Sequence, residues 1–247
     1  MYIGPKITTD GLILHLDAAN TKSYPGTGTV WTDLSGNGNN GTLTNGPTLD
    51  NSNYGNIVFD GINDYVVINN NPVNNDLNAW TVDGSLGTTT MTLEILVKTT
   101  DSAGYIISKP WNSSGQYNFR ATPTQFFLWC GPTGTTQIAT INFLNSINDG
   151  NWRHLILWAN TTQIGYYLDG GKYTDSITHG LTGSIPSVGN SRLPLGIMTL
   201  YFYGEGWAGV TNFSMQGNVG FFRKYNRVLS VSEMQQNYNA TKSRYNL

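Results

Sequence analysis

Charge is scarce in this chain. Asp, Glu, Lys and Arg make up 11% of its 247 residues, and 13 basic against 15 acidic side chains leave a formal net charge of −2. The Lys and Arg are scattered with no basic run, which excludes the electropositive patch that nucleic acid requires. Cys130 is the sole cysteine, so no internal disulfide can form. No apolar run approaches the ~20 residues that cross a bilayer, which argues against membrane insertion. Residues Met1–Asp10 lack a basic segment followed by an apolar one, so the sequence predicts synthesis in the cytoplasm without a secretory leader. Histidine is rare too: His15, His154 and His179 lie far apart, and none falls in a metal-binding or triad spacing.

Aromatic residues are plentiful: 7 Trp, 14 Tyr and 9 Phe. Each buries a large area, so a hydrophobic share of 38% still supports a continuous core. A length of 247 residues suits one large all-β unit, and residues 1–247 show no linker or internal repeat. Solubility must come from Asn, Thr, Ser and Gly. Such charge-poor surfaces suit a face turned to the outside, and a virus particle assembled in host cytoplasm satisfies both expectations.

Strand patterning dominates. Leu12, Leu14 and Leu16 alternate with Ile13 and His15, and Met91, Leu93, Ile95 and Val97 alternate with Thr92, Glu94, Leu96 and Lys98. Ile57–Phe59 and Tyr65–Ile68 flank the turn-rich link Asp60–Asp64. Asp169-Gly170 after Gly165–Leu168 signals a hairpin turn. Helix is expected only near the end, over Ser230–Ala240. There Ser230 and Glu233 form a capping box, and Val231, Met234 and Tyr238 share a face. The predicted fold is all-β: two antiparallel sheets in a sandwich with a short C-terminal helix.

Four blocks carry a resemblance. They are Gly11–Asp17 (GLILHLD) with Trp31–Thr42 (WTDLSGNGNNGT), then Ile57–Val66 (IVFDGINDYV). Next come Met91–Lys98 (MTLEILVK) with Asn151–Leu155 and Tyr166–Gly170, and finally Tyr225–Ser230 running into Glu233 and Asn237–Ala240. In this order they resemble the concanavalin A-like lectin/glucanase superfamily, specifically its laminin G-like jelly roll. Gly11–Thr42 and Tyr225–Tyr245 are most similar to stand-alone versions in tailed bacteriophages, where such domains are structural or accessory particle proteins. The resemblance implies a virion protein, as head decoration or tail fibre, with capsid or tail proteins and host-surface glycans as partners. A soluble carbohydrate-binding lectin is the alternative, and a glucan hydrolase the third reading. Fold alone does not decide among them.

The chemistry the sequence offers is sparse. Retaining glucanases of this fold place paired carboxylates on one strand, about E-x-D-x-x-E. Here Glu94 is followed by Leu96 where the Asp should stand, and no second Glu follows, so no catalytic residue is assigned. Glu94 itself reads as a solvated strand residue. Asp33 and Asn37, within Ser35–Gly41 and its flank, offer closely spaced oxygens that could hold a structural calcium ion. The resemblance implies calcium near this loop and the C-terminal strand, but where many members carry an acid this chain has Gly220. A metal-free loop of Asx turns is the other reading. Trp152 and Trp158 sit on an apolar strand, which favours the core for at least one. Tyr201, Tyr203, Trp207 and Trp111 lie in or beside glycine-rich stretches, where aromatics can stand exposed to stack on sugars or dock on a protein neighbour. The run from Tyr201 to Trp207 reads as a glycine-flanked contact loop.

Overall fold

A computed structural model describes residues 6–68, 90–109, 118–130, 136–160, 162–178, 195–197, 201–204, 207–210 and 214–247. Two eight-stranded antiparallel sheets form a β-sandwich. The first contains β1 (Leu12–Asp17), β4 (Thr48–Asp50), β5 (Asn56–Asp60), β7 (Met91–Lys98), β12 (Trp152–Ala159), β13 (Gln163–Leu168), β14 (Tyr173–Thr178) and β18 (Gln216–Tyr225). The second contains β2 (Val30–Trp31), β3 (Gly41–Thr44), β6 (Tyr65–Ile68), β8 (Ile107–Lys109), β9 (Asn118–Ala121), β10 (Gln125–Cys130), β11 (Thr136–Asn142) and β15 (Leu195–Ile197). A separate ribbon pairs β16 (Tyr201–Gly204) with β17 (Trp207–Val210), and α1 (Val231–Tyr245) closes the chain.

The alternation read from the sequence sets the faces. Leu14, Leu93, Ile95, Leu155 and Phe222 of the first sheet meet Val66, Ile107, Phe119, Phe126 and Ile141 of the second in one buried cluster. β5 and β6 fall in different sheets, so Asp60–Asp64 carries the chain across the sandwich. The predicted turn joins β13 to β14 through the four residues Asp169–Lys172, with left-handed φ of 49°, 70° and 86° at Asp169, Gly170 and Gly171, the latter two being where glycine is favoured.

The outer face of the first sheet is where expectation and structure part. The helix extends past Ala240 to Tyr245, because Asn237, Thr241 and Tyr245 continue a buried face at four-residue spacing. The capping box forms: Ser230 Oγ accepts from the Glu233 N–H, and the Glu233 carboxylate accepts from the Ser230 N–H at 2.8 Å. Packed on the sheet, the helix buries Thr92, Glu94 and Leu96 and leaves only Lys98 of β7 exposed. Trp152 and Trp158 are half-buried beneath this layer and lie outside the sandwich core. Gly220 has a matching reason. A Cβ there would come within 2.5 Å of the Tyr245 hydroxyl and 2.8 Å of Leu96, so an acidic side chain at this position would displace the end of the helix.

Candidate functional site

Glu94 is fully buried, which corrects its reading as a solvated residue. Its Oε1 accepts from Arg223 Nη1 at 2.7 Å and from His154 Nε2 at 2.8 Å. Its Oε2 accepts from Asn237 Nδ2 at 2.8 Å and from the Tyr225 hydroxyl at 3.5 Å. Cross-strand pairing builds this set: Arg223 sits between His15 on β1 and Glu94 on β7, and His154 lies two residues from Glu94's partner Ile156. Asn237 supplies the helix's share and also accepts from the Thr8 N–H, fastening the N-terminal segment to the same cluster. Burial opposes ionisation of Glu94, but the Arg223 guanidinium, with the His154 and Asn237 hydrogen bonds, outweighs it and holds the carboxyl down at about 2. A carboxylate that stays ionised at neutral pH, buried under a helix with both oxygens engaged, cannot reach a glycosidic bond. It joins the helix to the sheet.

The loop holding Asp33 and Asn37 is built around hydrogen bonds. Asp33 Oδ1 accepts from the N–H groups of His15 (2.8 Å) and Ser35 (2.9 Å), and Oδ2 from Ser35 Oγ (2.7 Å) and the Asn39 N–H (3.0 Å). Asn37 donates its amide to Ser35 Oγ at 3.0 Å and to the Ile13 carbonyl at 3.3 Å. A calcium ion wants ~6–8 oxygens free to face it. Here the one carboxylate faces N–H and O–H donors, so this donor set does not fit the ion. Among the described residues no three His, Cys, Asp or Glu gather elsewhere. EDTA is therefore expected to leave the melting temperature unchanged. Asp33→Ala should lower stability by about 2 kcal/mol through its orphaned donors. Calcium-dependent protection against melting, lost in Asp33→Ala, would reverse this assignment.

The aromatic stretch expected as a loop is a hairpin ribbon. Tyr201 pairs with Val210, Phe202 with Gly209, Tyr203 with Ala208 and Gly204 with Trp207, leaving Glu205 and Gly206 between the strands. Strand-forming aromatics fill the strands. The register sets the two tyrosine positions one residue out of phase with Trp207. Trp111 lies outside the described residues.

One feature escaped the sequence. A cavity of about 460 Å³ opens where the end of β7 and the start of β12 meet the 3-10 turn at Asp169–Gly171 and the last turn of α1. Lys98, Trp152, Arg153, Lys172, Tyr238 and Tyr245 are among its walls. Four separate segments supply these residues, so no local motif marks them.

No family model matches the chain, and no curated protein matches it. Solved structures do share its fold. The binding domain of Paraclostridial Mosquitocidal Protein 1 superposes with a TM-score of 0.63 at 14% identity, over 93% of this chain and 52% of that one. The binding domain of Botulinum Neurotoxin DC, solved in complex with SialylT, gives 0.62 at 13% identity over 94% and 52%. The same domain with rat synaptotagmin II gives 0.63 at 13% identity over 94% and 52%. The chain thus spans about half the length of these structures. At such identities the likeness shows the β-sandwich fold alone.

Proposed function

We propose that this chain is a non-catalytic recognition module, a laminin G-like sandwich on the surface of a bacteriophage particle as head decoration or fibre. It binds neighbouring capsid or tail proteins and, through exposed loops and clefts, host-surface glycans. The observation that carries the non-catalytic part is the burial of Glu94. β7, which the sequence resemblance matches to the strand of paired carboxylates in glucanases, has its lone carboxylate locked against Arg223 and His154. Support for binding comes from a binding domain of the same fold, solved once with SialylT and once with rat synaptotagmin II. The virion placement rests on the Asn/Thr/Gly-rich, charge-poor composition and on the four sequence blocks. The rival, a soluble lectin with no virion role, draws on the same neighbour solved with SialylT.

Mass spectrometry of purified particles separates the two: the chain should be recovered at fixed copy number in the virion, whereas its absence there would leave the lectin. The β16–β17 ribbon supplies the first contact to test. Trp207→Ala should weaken attachment to the particle or to a glycan at least tenfold, as truncating an interface hot spot does, while melting shifts by no more than about 2 °C. A large drop in melting with attachment unchanged would assign the tryptophan to packing.

A further inference from the structure

We propose that the cavity beside the helix C-terminus is a binding site for an acidic saccharide, a sugar bearing a carboxylate or sulfate. The proposal rests on the recognition reading above and gives it a place and a ligand class. The volume, about 460 Å³, falls within the ~300–1,000 Å³ of small-molecule sites. Its lining is unbalanced in charge: Lys98, Arg153 and Lys172 stand against two carboxylates, the α-carboxylate of Leu247 and that of Asp169. The Asp169 carboxylate is already used, since Arg153 Nη1 donates to it at 2.6 Å and the same guanidinium also pairs with Asp149. Among the described residues neither Lys98 nor Lys172 enters a salt bridge, and both are exposed at the rim. In a chain with so few charges, two exposed ammonium groups at one opening favour an anion, although Lys172 Nζ also lies 5.4 Å from the Tyr173 ring and Lys98 acts on Asp50.

The walls specify what kind of anion. Trp152 and Tyr238 are half-buried and line the space, and the Tyr245 ring packs 5.0 Å from Trp152. Rigid aromatic faces stack on the C–H face of a pyranose, while the side chains of Asn151 and Asn246 at the edge can donate to and accept from hydroxyls. A bare phosphate would leave the rings unused, and a neutral sugar would leave the lysine charges without a counter-ion. The site is also held rigid. Tyr238 lies so close over Gly170 that a Cβ there would meet its ring at 2.5 Å, and Asp169 accepts the His154 N–H at 3.0 Å.

The test is calorimetric titration of the full chain with 3′-sialyllactose, with a glucuronate-containing disaccharide and with lactose, at low and high salt. At least one acidic sugar should bind about tenfold more tightly than lactose, the size expected of two partly exposed charge contacts, and the margin should shrink with salt. Lys98→Ala/Lys172→Ala should abolish the margin without altering melting, since both side chains are exposed. Equal binding of acidic and neutral sugars, or an acidic preference that survives the double variant, would overturn the assignment. If those results come with saturable glycan binding, the recognition reading stands and only its place is wrong. If no saccharide binds the chain at all, glycan recognition falls together with the site.

Discussion

Glu94→Ala should cost about 3–5 kcal/mol of folding free energy, the usual penalty for removing one partner of a buried ion pair. The carboxylate is completely buried and accepts four hydrogen bonds from two strands and the helix. Its loss would strand the Arg223 guanidinium, itself 2% exposed, without its anion. A domain of this size has only ~5–15 kcal/mol in hand, so the variant should melt far lower or fail to accumulate. Because collapse would say little by itself, Glu94→Leu combined with Arg223→Met provides the control. Replacing both charges by apolar groups of similar volume removes the orphan, so the pair should recover much of what Glu94→Leu alone loses. Urea denaturation of the three variants reads this directly. A Glu94→Ala loss under 1 kcal/mol would mean that water reaches the cluster and that the network is not what fastens the helix.

Acid should unfold the protein well before its carboxylates are exhausted, and His15 is the reason. Its Nε2 is buried with no hydrogen-bond partner among the described residues. Burial first, then the neighbouring Arg223, lower its pKa from 6.5 to about 3, with Arg244 adding to them and Asp17 and Glu94 pulling the other way. As the pH falls below 6.5 the unfolded chain takes up this proton and the folded chain does not, so the unfolded state binds more protons and stability declines. At ~1.4 kcal/mol per pH unit, the interval down to about 3 removes on the order of 3–5 kcal/mol. Glu94 adds to this in a lower window. Its folded carboxyl titrates at about 2 against an ordinary 4.5, so its contribution is complete above 4.5 and fades from there towards 2. Melting temperatures should be flat from pH 8 to 7 and fall steadily from 6.5 to 4.5. His15→Gln should flatten that fall by at least half. An unchanged slope in His15→Gln would place the acid sensitivity elsewhere.

Period-two patterning made the strands of the sandwich legible, and the capping box at Ser230 made the helix start legible. Both are local signals. What the helix covers is not local. The alternation on β7 correctly separates Leu93 from Glu94, yet nothing in MTLEILVK tells whether the second face meets water or a helix more than 130 residues away. Glu94 was therefore misread, and so were Trp152 and Trp158. The cue lay in company: a face carrying Glu94, His154, Arg223 and Tyr225 on three strands is too polar for a core and too well paired for a surface. The stretch from Tyr201 was misread as a loop for a related reason, since aromatics beside glycine can pair as strands as readily as they form a loop. The cavity, drawn from four separated segments, had no linear signature.

Native mass spectrometry of the protein incubated with a panel of neutral and acidic oligosaccharides addresses recognition without turnover most directly, because one spectrum shows both the complex and the fate of the sugar. The expected result is a complex whose bound sugar keeps its full mass over hours. Time-dependent appearance of shortened oligosaccharides, lost in Glu94→Gln, would contradict it and return the buried carboxylate to catalysis.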